Sequence, residues 1–491
     1  MRRRHGSQER RAARVLAGLL AALLSGCSTS SGGGGPPVFT GAFTASSGTL
    51  QAGAATVPIV LPPGTALAGH GGPPRRALDG SILLTGGPLS PLGCFDPDPS
   101  TAAVFFAPNT GTIDTLTARA LVLDNGARRL AIVKVDAIGM SRKLRDAVAD
   151  AAAPLGIPRP HVAVVATHTH AGPGGVSDQP AWEIAASDCF SQAVYDAVKS
   201  AAVLALSQAH AALTPAKLGI GSVQVSGFTR NRRDEIYPPG AAPLDVELGL
   251  IKVETTGGVP IAALINFAIH GTFYDGDNMK VSADTPGAIE REIEKVLPPG
   301  AVAIFTNGAE GDVAPQKSTT INTPEALGAG VAAKVAALWG AIVAQPTADL
   351  RVVFTDVAMP PPQYNPLGCL PLAETTTTVC DIAPGGMQPT VPLPKWLSTT
   401  LPFQAIRIND TVLVTVPGEP VTDLGTTIKQ QAVAAGLARG YVVALANDHG
   451  GYFTTTAHYD KPTYEGKATL YGRDTGATVV EATAMVIEKV K

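Results

Sequence analysis

Residues 161–175 read HVAVVATHTHAGPGG, an apolar run that passes directly into a loop rich in histidine and glycine. The run His161–Ala166 is short and rich in β-branched valine, so it predicts a buried strand rather than a helix. His168 and His170 are two positions apart, and in extended backbone such side chains point to the same face. The stretch therefore predicts a strand that ends in a polar loop at one edge of a sheet.

The same succession of an apolar run and a polar, glycine-containing loop recurs further along the chain. Ligands bind at the carboxyl ends of the strands in open α/β sheets, so we expect these loops to share one crevice. The predicted strands and the loop residues after them are Ile261–Ala268 before His270, Val302–Phe305 before Glu310 and Asp312, Thr411–Val416 before Glu419, and Tyr441–Leu445 before Asp448 and His449.

Longer segments with helical patterns lie between the apolar runs. This alternation predicts an α/β fold with one or more mixed sheets flanked by helices, and an active site at the C-terminal ends of the strands. A chain of 491 residues is long enough to bury a large core. Two further predicted strands are Ala118–Leu123 and Leu130–Val135, and the predicted helices are Ser141–Ala152, Ser191–Gln208, Pro286–Val296, Pro324–Val343 and Val421–Ala434.

The N-terminus has the pattern of an export signal. Basic residues open the chain, and the apolar run Val15–Leu24 that follows is too short to cross a bilayer. Leu24-Ser25-Gly26-Cys27 resembles a bacterial lipobox, which predicts a signal peptide over 1–26, lipid on Cys27 and a flexible tether over 27–37. Residues 38–491 are then expected to form one catalytic domain, lipid-anchored in the bacterial cell envelope on the periplasmic or cell-surface side. An ordinary free cysteine at position 27 is the alternative.

The charge balance excludes one class of partner. Six of the 37 basic residues and one of the 40 acidic residues lie in 1–26, which leaves 31 against 39 and a net charge of −8. An acidic body without runs of Lys or Arg argues against nucleic acid as the partner.

Four cysteines follow Cys27, and an even number in an exported chain suggests disulfides. Cys369 and Cys380 flank a loop-like stretch and are predicted to pair. Cys94 and Cys189 are then predicted to pair by elimination. Zinc binding by these cysteines is the rival interpretation, but no CxxC spacing supports it.

The loop side chains include a set of donors that suits a metal ion. His168, His170, His270 and Glu419 are the residue types that bind catalytic zinc and leave one position for water. A single histidine at a strand end is more often structural or solvated. The His-x-His spacing followed by a Gly/Pro loop favours the metal interpretation.

Five segments resemble the signatures of the neutral/alkaline ceramidase family, in the same order along the chain. THTHAGPGG at 167–175 is similar to that family's HTHSGPGG, and the others are NFAIHGT at 266–272, GDVAP at 311–315, VPGE at 416–419 and YFTTTAHYDKPTYEGKATLYG at 452–472. The resemblance runs from about Ala120 to Gly472. It implies the family's N-terminal catalytic domain, and the C-terminal β-sandwich domain of the family is expected to be absent because the chain stops at Lys491.

The resemblance also implies the metal and its ligands. It predicts one zinc ion per chain, bound by His168, His270, Glu419 and Tyr452. Two histidines, a glutamate and a tyrosine suit zinc, which accepts both nitrogen and oxygen ligands.

Further roles are carried over from the family in the same way. His170 and Arg232 would contact the polar head of the substrate, with Arg230 and Arg233 as alternatives to Arg232. Tyr464, twelve residues after the tyrosine ligand as in the family, would stabilise the oxyanion of the tetrahedral intermediate.

One position departs from the family and four others are candidates for supporting roles. Ala314 occupies the place of the family's nucleophilic serine, in GDVAP instead of GDVSP. Glu310 and Asp312 are spare candidates for a general base, although loop hydrogen bonding is the stronger interpretation for Asp312. Asp448 and His449 are candidates for orienting a metal ligand, with a solvated turn as the alternative.

These observations predict an exported zinc-dependent amidohydrolase, similar to a ceramidase, that hydrolyses an N-acyl amide bond with a zinc-activated water. The expected substrate is a small amphipathic molecule, ceramide or a related N-acyl lipid of sphingolipid metabolism. Two alternatives stay open: a zinc hydrolase that acts on another amide or ester, and a non-catalytic surface lipoprotein that binds a lipid or glycan. Ala314 favours the non-catalytic alternative, whereas a ligand set with a position left for water favours an enzyme.

Overall fold

The computed structural model describes residues 47–76, 102–238, 240–365, 391–393, 395–461 and 463–491. Its strands are β1 (Ser47–Thr49), β2 (Gln51–Pro58), β3 (Thr117–Asp124), β4 (Arg129–Val135), β5 (Val162–Ala166), β6 (Thr214–Gln224), β7 (Thr229–Asn231), β8 (Glu247–Thr255), β9 (Pro260–Phe267), β10 (Val302–Asn307), β11 (Val313–Pro315), β12 (Thr347–Ala358), β13 (Gln363–Tyr364), β14 (Val391–Pro392), β15 (Thr400–Ile408), β16 (Thr411–Thr415), β17 (Glu419–Pro420), β18 (Arg439–Val443) and β19 (Tyr452–Phe453). Its α-helices are α1 (Arg142–Ala152), α2 (Pro180–Trp182), α3 (Gln192–Ala211), α4 (Asp284–Val296), α5 (Pro324–Ala341), α6 (Thr422–Ala434), α7 (Thr456–Tyr459), α8 (Tyr464–Lys467) and α9 (Thr475–Val490).

Two mixed sheets organise these strands. One has eight strands in the order β10-β9-β8-β6-β2-β3-β4-β5, and the other has five in the order β1-β12-β15-β16-β18. Within them, β4 with β5, β9 with β10 and β16 with β18 are parallel, while the other neighbours are antiparallel. Each parallel pair is joined through one helix (α1, α4 and α6), as parallel neighbours require a crossover connection.

The two sheets pack face to face and helices cover their outer faces, so the fold has four layers. Leu121, Ile251 and Leu264 of the larger sheet share an apolar layer with Leu350 and Leu413 of the smaller sheet. On the outer side of the larger sheet lie α1 and α3 at one end and α4 and α5 at the other. The helices α6 and α9 cover the smaller sheet. Burial of these apolar faces is the main term that stabilises such a layered fold.

Serine and threonine residues begin several of the helices. The Ser141 hydroxyl accepts the backbone N–H of Leu144 at 3.2 Å at the start of α1, and Thr323 accepts Ala326 N–H at 3.0 Å at the start of α5. Such caps satisfy backbone donors that have no partner within the helix. The predicted helix starts at Ser141 and Pro324 lie within one residue of the observed starts for this reason.

The predicted α/β class with mixed sheets flanked by helices is confirmed, and the predicted strands and helices all recur with shifted ends. In the two large sheets, β1, β2, β6, β8, β12 and β15 were not predicted, and neither were the short strands outside these sheets or the helices α2, α7, α8 and α9. In β6 and β12, buried and exposed side chains alternate, so neither strand stands out as an apolar run. Among the described helices, none combines the length and apolar character that crossing a bilayer requires.

Several predicted features fall outside the described residues. These are the signal peptide, the tether, the lipidation site at Cys27 and the cysteines Cys94, Cys369 and Cys380. Cys189 is described, buried and disulfide-bonded. Its pairing with Cys94 stays a prediction.

Candidate metal centre

Three strand–helix–strand units bring the candidate residues to one edge of the fold. Because a crossover aligns both strands of a unit in the same direction, the loops after β5, β9, β10 and β16 open at carboxyl ends. His168 and His170 follow β5, His270 follows β9, Glu310 follows β10 and Glu419 follows β16. The side chains that the sequence placed after separate strands therefore meet in space.

The backbone orients the two central imidazoles. Nδ1–H of His168 donates to the Ile138 carbonyl oxygen at 2.6 Å, and Nδ1–H of His270 donates to the Glu310 carbonyl oxygen at 2.8 Å. In both rings Nε2 is left to face the centre, as in metal sites where a backbone carbonyl sets the tautomer. His168 has a φ of 67°, in the left-handed region that few residues other than glycine adopt.

The donor atoms lie at separations that suit one shared ion. Nε2 of His168 is 3.2 Å from Oε2 of Glu419, and Nε2 of His270 is 3.5 Å from the same oxygen. The Tyr452 hydroxyl lies 3.2 Å from Nε2 of His270, and Nε2 of His170 lies 3.2 Å from Nε2 of His168. Ligands about 2 Å from a tetrahedral ion are about 3.3 Å apart. The predicted ligands and His170 are thus close enough to contact one metal.

Burial and neighbouring side chains set the protonation states of three of these groups. Burial and the neighbouring Arg232 lower the pKa of His270 to about 3, and burial with the adjacent imidazoles holds the pKa of His170 well below its usual value. Burial acts to raise the pKa of Glu419, but the facing His168 and its neighbours outweigh it and hold the pKa well below the usual value. Neutral imidazoles and an ionised carboxylate are metal-binding forms.

Several buried polar atoms at the centre have no hydrogen-bond partner among the described residues. They are both carboxylate oxygens of Glu310 and Oε2 of Glu419. Two sets of donors lie within 4.8 Å of one another and could hold an ion: His168 with His170 and His270, and His168 with Glu310 and Glu419. Since buried polar groups are normally paired, these orphaned atoms and the chemistry of the donors fit a divalent metal ion.

Arg232 supports the centre through Tyr452. One of its Nη atoms donates to the Tyr452 hydroxyl at 2.9 Å and to the Gly311 carbonyl oxygen at 2.8 Å, while Nε donates to Glu465 at 2.8 Å. Arg233 also binds Glu465, whereas Arg230 is exposed on β7. Of the three candidate arginines, Arg232 is the one that contacts a predicted ligand.

A cavity of about 200 Å³ opens beside the centre. Its polar floor and rim are formed by His168, His170, Glu419, Tyr452 and Tyr464, and its walls are largely apolar, including Ile138, Met140, Val176, Trp182 and Leu470. Tyr464 is 59% exposed and its ring centroid lies 5.5 Å from that of Tyr452. A reactive polar centre therefore lies beneath apolar walls.

His449 forms one wall of the cavity and contacts Glu419. Its Nε2 lies 3.1 Å from Oε1 of Glu419, and its ring stacks on Trp182 with centroids 4.3 Å apart. The Trp182 indole N–H donates to the His449 carbonyl oxygen at 2.8 Å. Asp448 accepts from Gln179 at 2.9 Å. His449 is thus placed to orient Glu419, and Asp448 holds the loop rather than the centre.

Two predicted candidates lie apart from the cavity. Ala314 is buried in β11, paired with Arg230 of β7, and is not among the residues that line the cavity. Oδ1 of Asp312 accepts the N–H and hydroxyl of Thr422, and Oδ2 accepts Asn231, so this carboxylate serves the loop.

Sequence reasoning missed two residues of the site. Glu465 is fully buried and binds both Arg232 and Arg233, although it stands next to Tyr464 in the quoted 452–472 segment. Trp182 belongs to a short helical turn with no strand end beside it, so nothing in its spacing pointed to the cavity.

Comparison with known proteins begins with the fold. The crystal structure of neutral ceramidase from Pseudomonas aeruginosa superimposes with a TM-score of 0.69 at 21% identity, covering 90% of this chain and 74% of that chain. A solved structure titled "Ceramidase complexed with C2" superimposes with the same TM-score of 0.69 at 20% identity, covering 90% and 75%. The layered α/β fold of this chain is therefore similar to that of these solved ceramidase structures.

The sequence identifies the family. The description "Neutral/alkaline non-lysosomal ceramidase, N-terminal" matches residues 107–327 and 382–481, and the chain belongs to this family. The neutral ceramidase of Mycobacterium tuberculosis is 24% identical over 67% of this chain and 63% of its own length. The neutral ceramidase of P. aeruginosa is 25% identical over 64% and 57%. The resemblance predicted from the loop segments is confirmed, and the chain spans about three fifths of these relatives.

Proposed function

We propose that this protein is an exported, zinc-dependent amidohydrolase that cleaves the N-acyl amide bond of ceramide or a related N-acyl lipid. The observation that carries the proposal is the convergence of His168, His270, Glu419 and Tyr452 on one point beside an apolar cavity. Membership of the neutral/alkaline ceramidase family supports the same reaction.

The four converging residues would hold the ion. When bound, zinc would supply Lewis-acid polarisation of the amide carbonyl and activation of water near neutral pH. Arg232 donates to the Tyr452 hydroxyl oxygen and so favours its use as an acceptor or ligand. His449, at 3.1 Å from Glu419, keeps one carboxylate oxygen engaged while the other faces the imidazoles.

The protein groups around the cavity suit the remaining steps of amide hydrolysis. Water adds to the carbonyl carbon, the C–N bond breaks, and a carboxylic acid and an amine leave. Tyr464 at the rim can donate its hydroxyl proton as a hydrogen bond to the oxyanion. His170 lines the cavity as a neutral imidazole and can orient the substrate and pass a proton to the departing amine.

The apolar walls support an acyl lipid as the substrate. Met140, Val176, Trp182 and Leu470 can contact a hydrocarbon chain and exclude water from the reacting bond. The half-exposed Tyr464 marks the open side, where the polar head of an amphipathic molecule would lie.

Export and anchoring are part of the proposal and depend on the N-terminal pattern. A multiply acylated Cys27 would hold the protein to the membrane, because a single acyl chain gives only marginal binding. Mass spectrometry of the mature protein should find lipid on Cys27, and an unmodified cysteine there would contradict the anchor.

The second candidate function is a binding protein that retains the metal but does not turn over. Ala314, in place of a serine, is the observation that favours it. The open, apolar cavity at the donor set favours the hydrolase, since a binding protein needs no reactive centre at its floor.

One experiment distinguishes these functions. The protein is purified, stripped with a chelator and reloaded with zinc, and amine release is measured from ceramide and from a panel of N-acyl substrates that includes a peptidoglycan fragment. We expect release that depends on zinc and disappears in Glu419→Ala. Zinc binding without cleavage of any substrate would favour the binding protein, and failure to bind zinc would contradict both functions.

A further inference from the structure

Glu310 is a fully buried carboxylate in the loop after β10 that the proposed mechanism does not use. Its side chain is 0% exposed, and neither carboxylate oxygen has a hydrogen-bond partner among the described residues. An ionised carboxylate without a partner is strongly unfavourable in a protein interior, so such a group either takes up a proton or binds a cation.

Other buried carboxylates of the chain do have partners. Glu290, also 0% exposed, is held by Lys134 at 2.8 Å and by Arg119 at 3.1 Å. Asp312, two residues after Glu310 in the same loop, has both oxygens engaged by Thr422 and Asn231. The isolation of Glu310 is therefore not a general property of buried acids in this fold.

The loop brings both the backbone and the side chain of Glu310 to the metal centre. Its carbonyl oxygen accepts Nδ1–H of His270 at 2.8 Å, and a carboxylate oxygen lies within 4.8 Å of the donor atoms of His168 and Glu419. Gly311 permits this approach, because a Cβ at that position would lie 2.7 Å from the Glu419 carbonyl oxygen.

The two donor sets at the centre must serve the same ion. They share His168, whose Nδ1 is already bound to the Ile138 carbonyl oxygen, so only Nε2 remains for a metal. One ring nitrogen binds one ion. The set with Glu310 and Glu419 and the set with His270 are therefore parts of one site.

We propose that Glu310 is an additional ligand of the bound metal, a second carboxylate beside Glu419. The inference rests on the metal occupancy of the proposed function and adds a residue that the family resemblance did not predict. Two carboxylates balance the charge of a divalent cation, and they make the site richer in oxygen donors than a His/Glu/Tyr set with one carboxylate.

The test uses the full chain, stripped of metal and titrated with Zn²⁺ against a chromophoric chelator. Glu310→Gln keeps the shape of the side chain and removes its charge, and Glu290→Gln is the matched control at a paired buried carboxylate. We expect Glu310→Gln to weaken zinc affinity at least about tenfold, and Glu290→Gln to keep it within about twofold. The visible spectrum of the Co²⁺-loaded protein should change in Glu310→Gln and not in the control.

Thermal unfolding provides a second readout. The gain in Tm on zinc addition should be smaller in Glu310→Gln than in the wild type, because the glutamine side chain lacks the charge that would bind the ion. Glu310→Asp, which keeps the charge but shortens its reach, should bind zinc with intermediate affinity.

Wild-type zinc affinity and an unchanged cobalt spectrum in both Glu310 variants would overturn the assignment of Glu310. A wild-type protein that binds no stoichiometric zinc would instead overturn the proposed function itself. The two failures are therefore distinguishable.

Discussion

Two clusters of buried charge lie in the same fold and differ in one respect. In the first, Lys134 binds Asp136 and Glu290, each at 2.8 Å, and Arg119 binds Glu290 at 3.1 Å. In the second, the candidate metal centre, Glu310 and Glu419 lie beside histidine side chains, and three of their carboxylate oxygens have no hydrogen-bond partner among the described residues. Burial is almost complete in both clusters, so they differ in whether a lysine or arginine forms an ion pair with the carboxylates.

The difference indicates how to distinguish structural from functional charge in this protein. In the Lys134 cluster each buried acid has a cation within hydrogen-bond distance, and Asp136 also accepts the Thr167 hydroxyl at 3.2 Å, directly before His168. That cluster stabilises the end of β5, and its acids need no bound ion as a partner. At the candidate metal centre, the orphaned oxygens of Glu310 and Glu419 have no such protein partner among the described residues, and a divalent cation would supply one.

The largest expected effect comes from removing the lysine of the Lys134 cluster. Lys134→Met leaves Asp136 without the cation that binds it and Glu290 with Arg119 alone, and breaking a buried pair costs about 3–5 kcal/mol of unfolding free energy. Urea unfolding measures the change, with the exposed Lys334→Met as a control that should stay within about 0.5 kcal/mol. A Lys134→Met protein as stable as wild type would show that the cluster does not stabilise the fold.

The next largest effect is expected when a predicted ligand is removed from the candidate metal centre. Glu419→Ala should lose stoichiometric zinc, and its amidase activity should fall at least about a hundredfold. Loss of a residue that only supports a ligand typically costs about 10–100-fold in metal affinity or activity, and loss of a ligand itself should cost more. Its metal-free form should remain folded, since the apolar cores between the sheets and helices do not include the predicted ligands. Zinc analysis and circular dichroism check both parts, and a Glu419→Ala protein that keeps one zinc per chain would refute this ligand.

A smaller effect is expected at the rim of the cavity. Tyr464→Phe should lower turnover about tenfold to a hundredfold and leave zinc content unchanged, which is less than the loss of a fully buried oxyanion donor because Tyr464 is 59% exposed. Tyr364, another rim tyrosine at 38% exposure, is the matched control, and Tyr364→Phe should change turnover by less than about twofold. Equal effects of the two substitutions would contradict the role of Tyr464 as the donor to the oxyanion.

The smallest effect is expected at Ala314. This residue is buried in β11 and does not line the cavity, so a serine hydroxyl there has no direct path to the substrate. Ala314→Ser should raise ceramide cleavage by less than about threefold, well below the hundredfold that one well-placed donor can contribute. Amine release from ceramide by the two proteins at equal zinc measures this, and a gain of tenfold or more would place position 314 in the chemistry.

The sequence by itself determined where these strands lie and which loops follow them, because valine-rich runs and the glycine loops after them are local patterns. From these patterns His168, His170, His270 and Glu419 were predicted to meet, and in the structure they do. The class of fold followed from the same alternation of strands and helices. The half-buried strands β6 and β12 did not follow, since their alternating side chains produce no apolar run.

Only the tertiary structure decided which neighbours each charge has. Glu310 and Glu290 are both buried glutamates, and nothing in the residues beside them shows that one is paired and the other is not. Arg232 was one of three candidate arginines in the sequence. Its 2.9 Å contact with Tyr452, which is 220 residues away in the chain, distinguishes it from the other two. The physical reason is that secondary structure arises from local backbone and hydrophobic patterns, whereas electrostatic environment depends on residues that are distant in the chain.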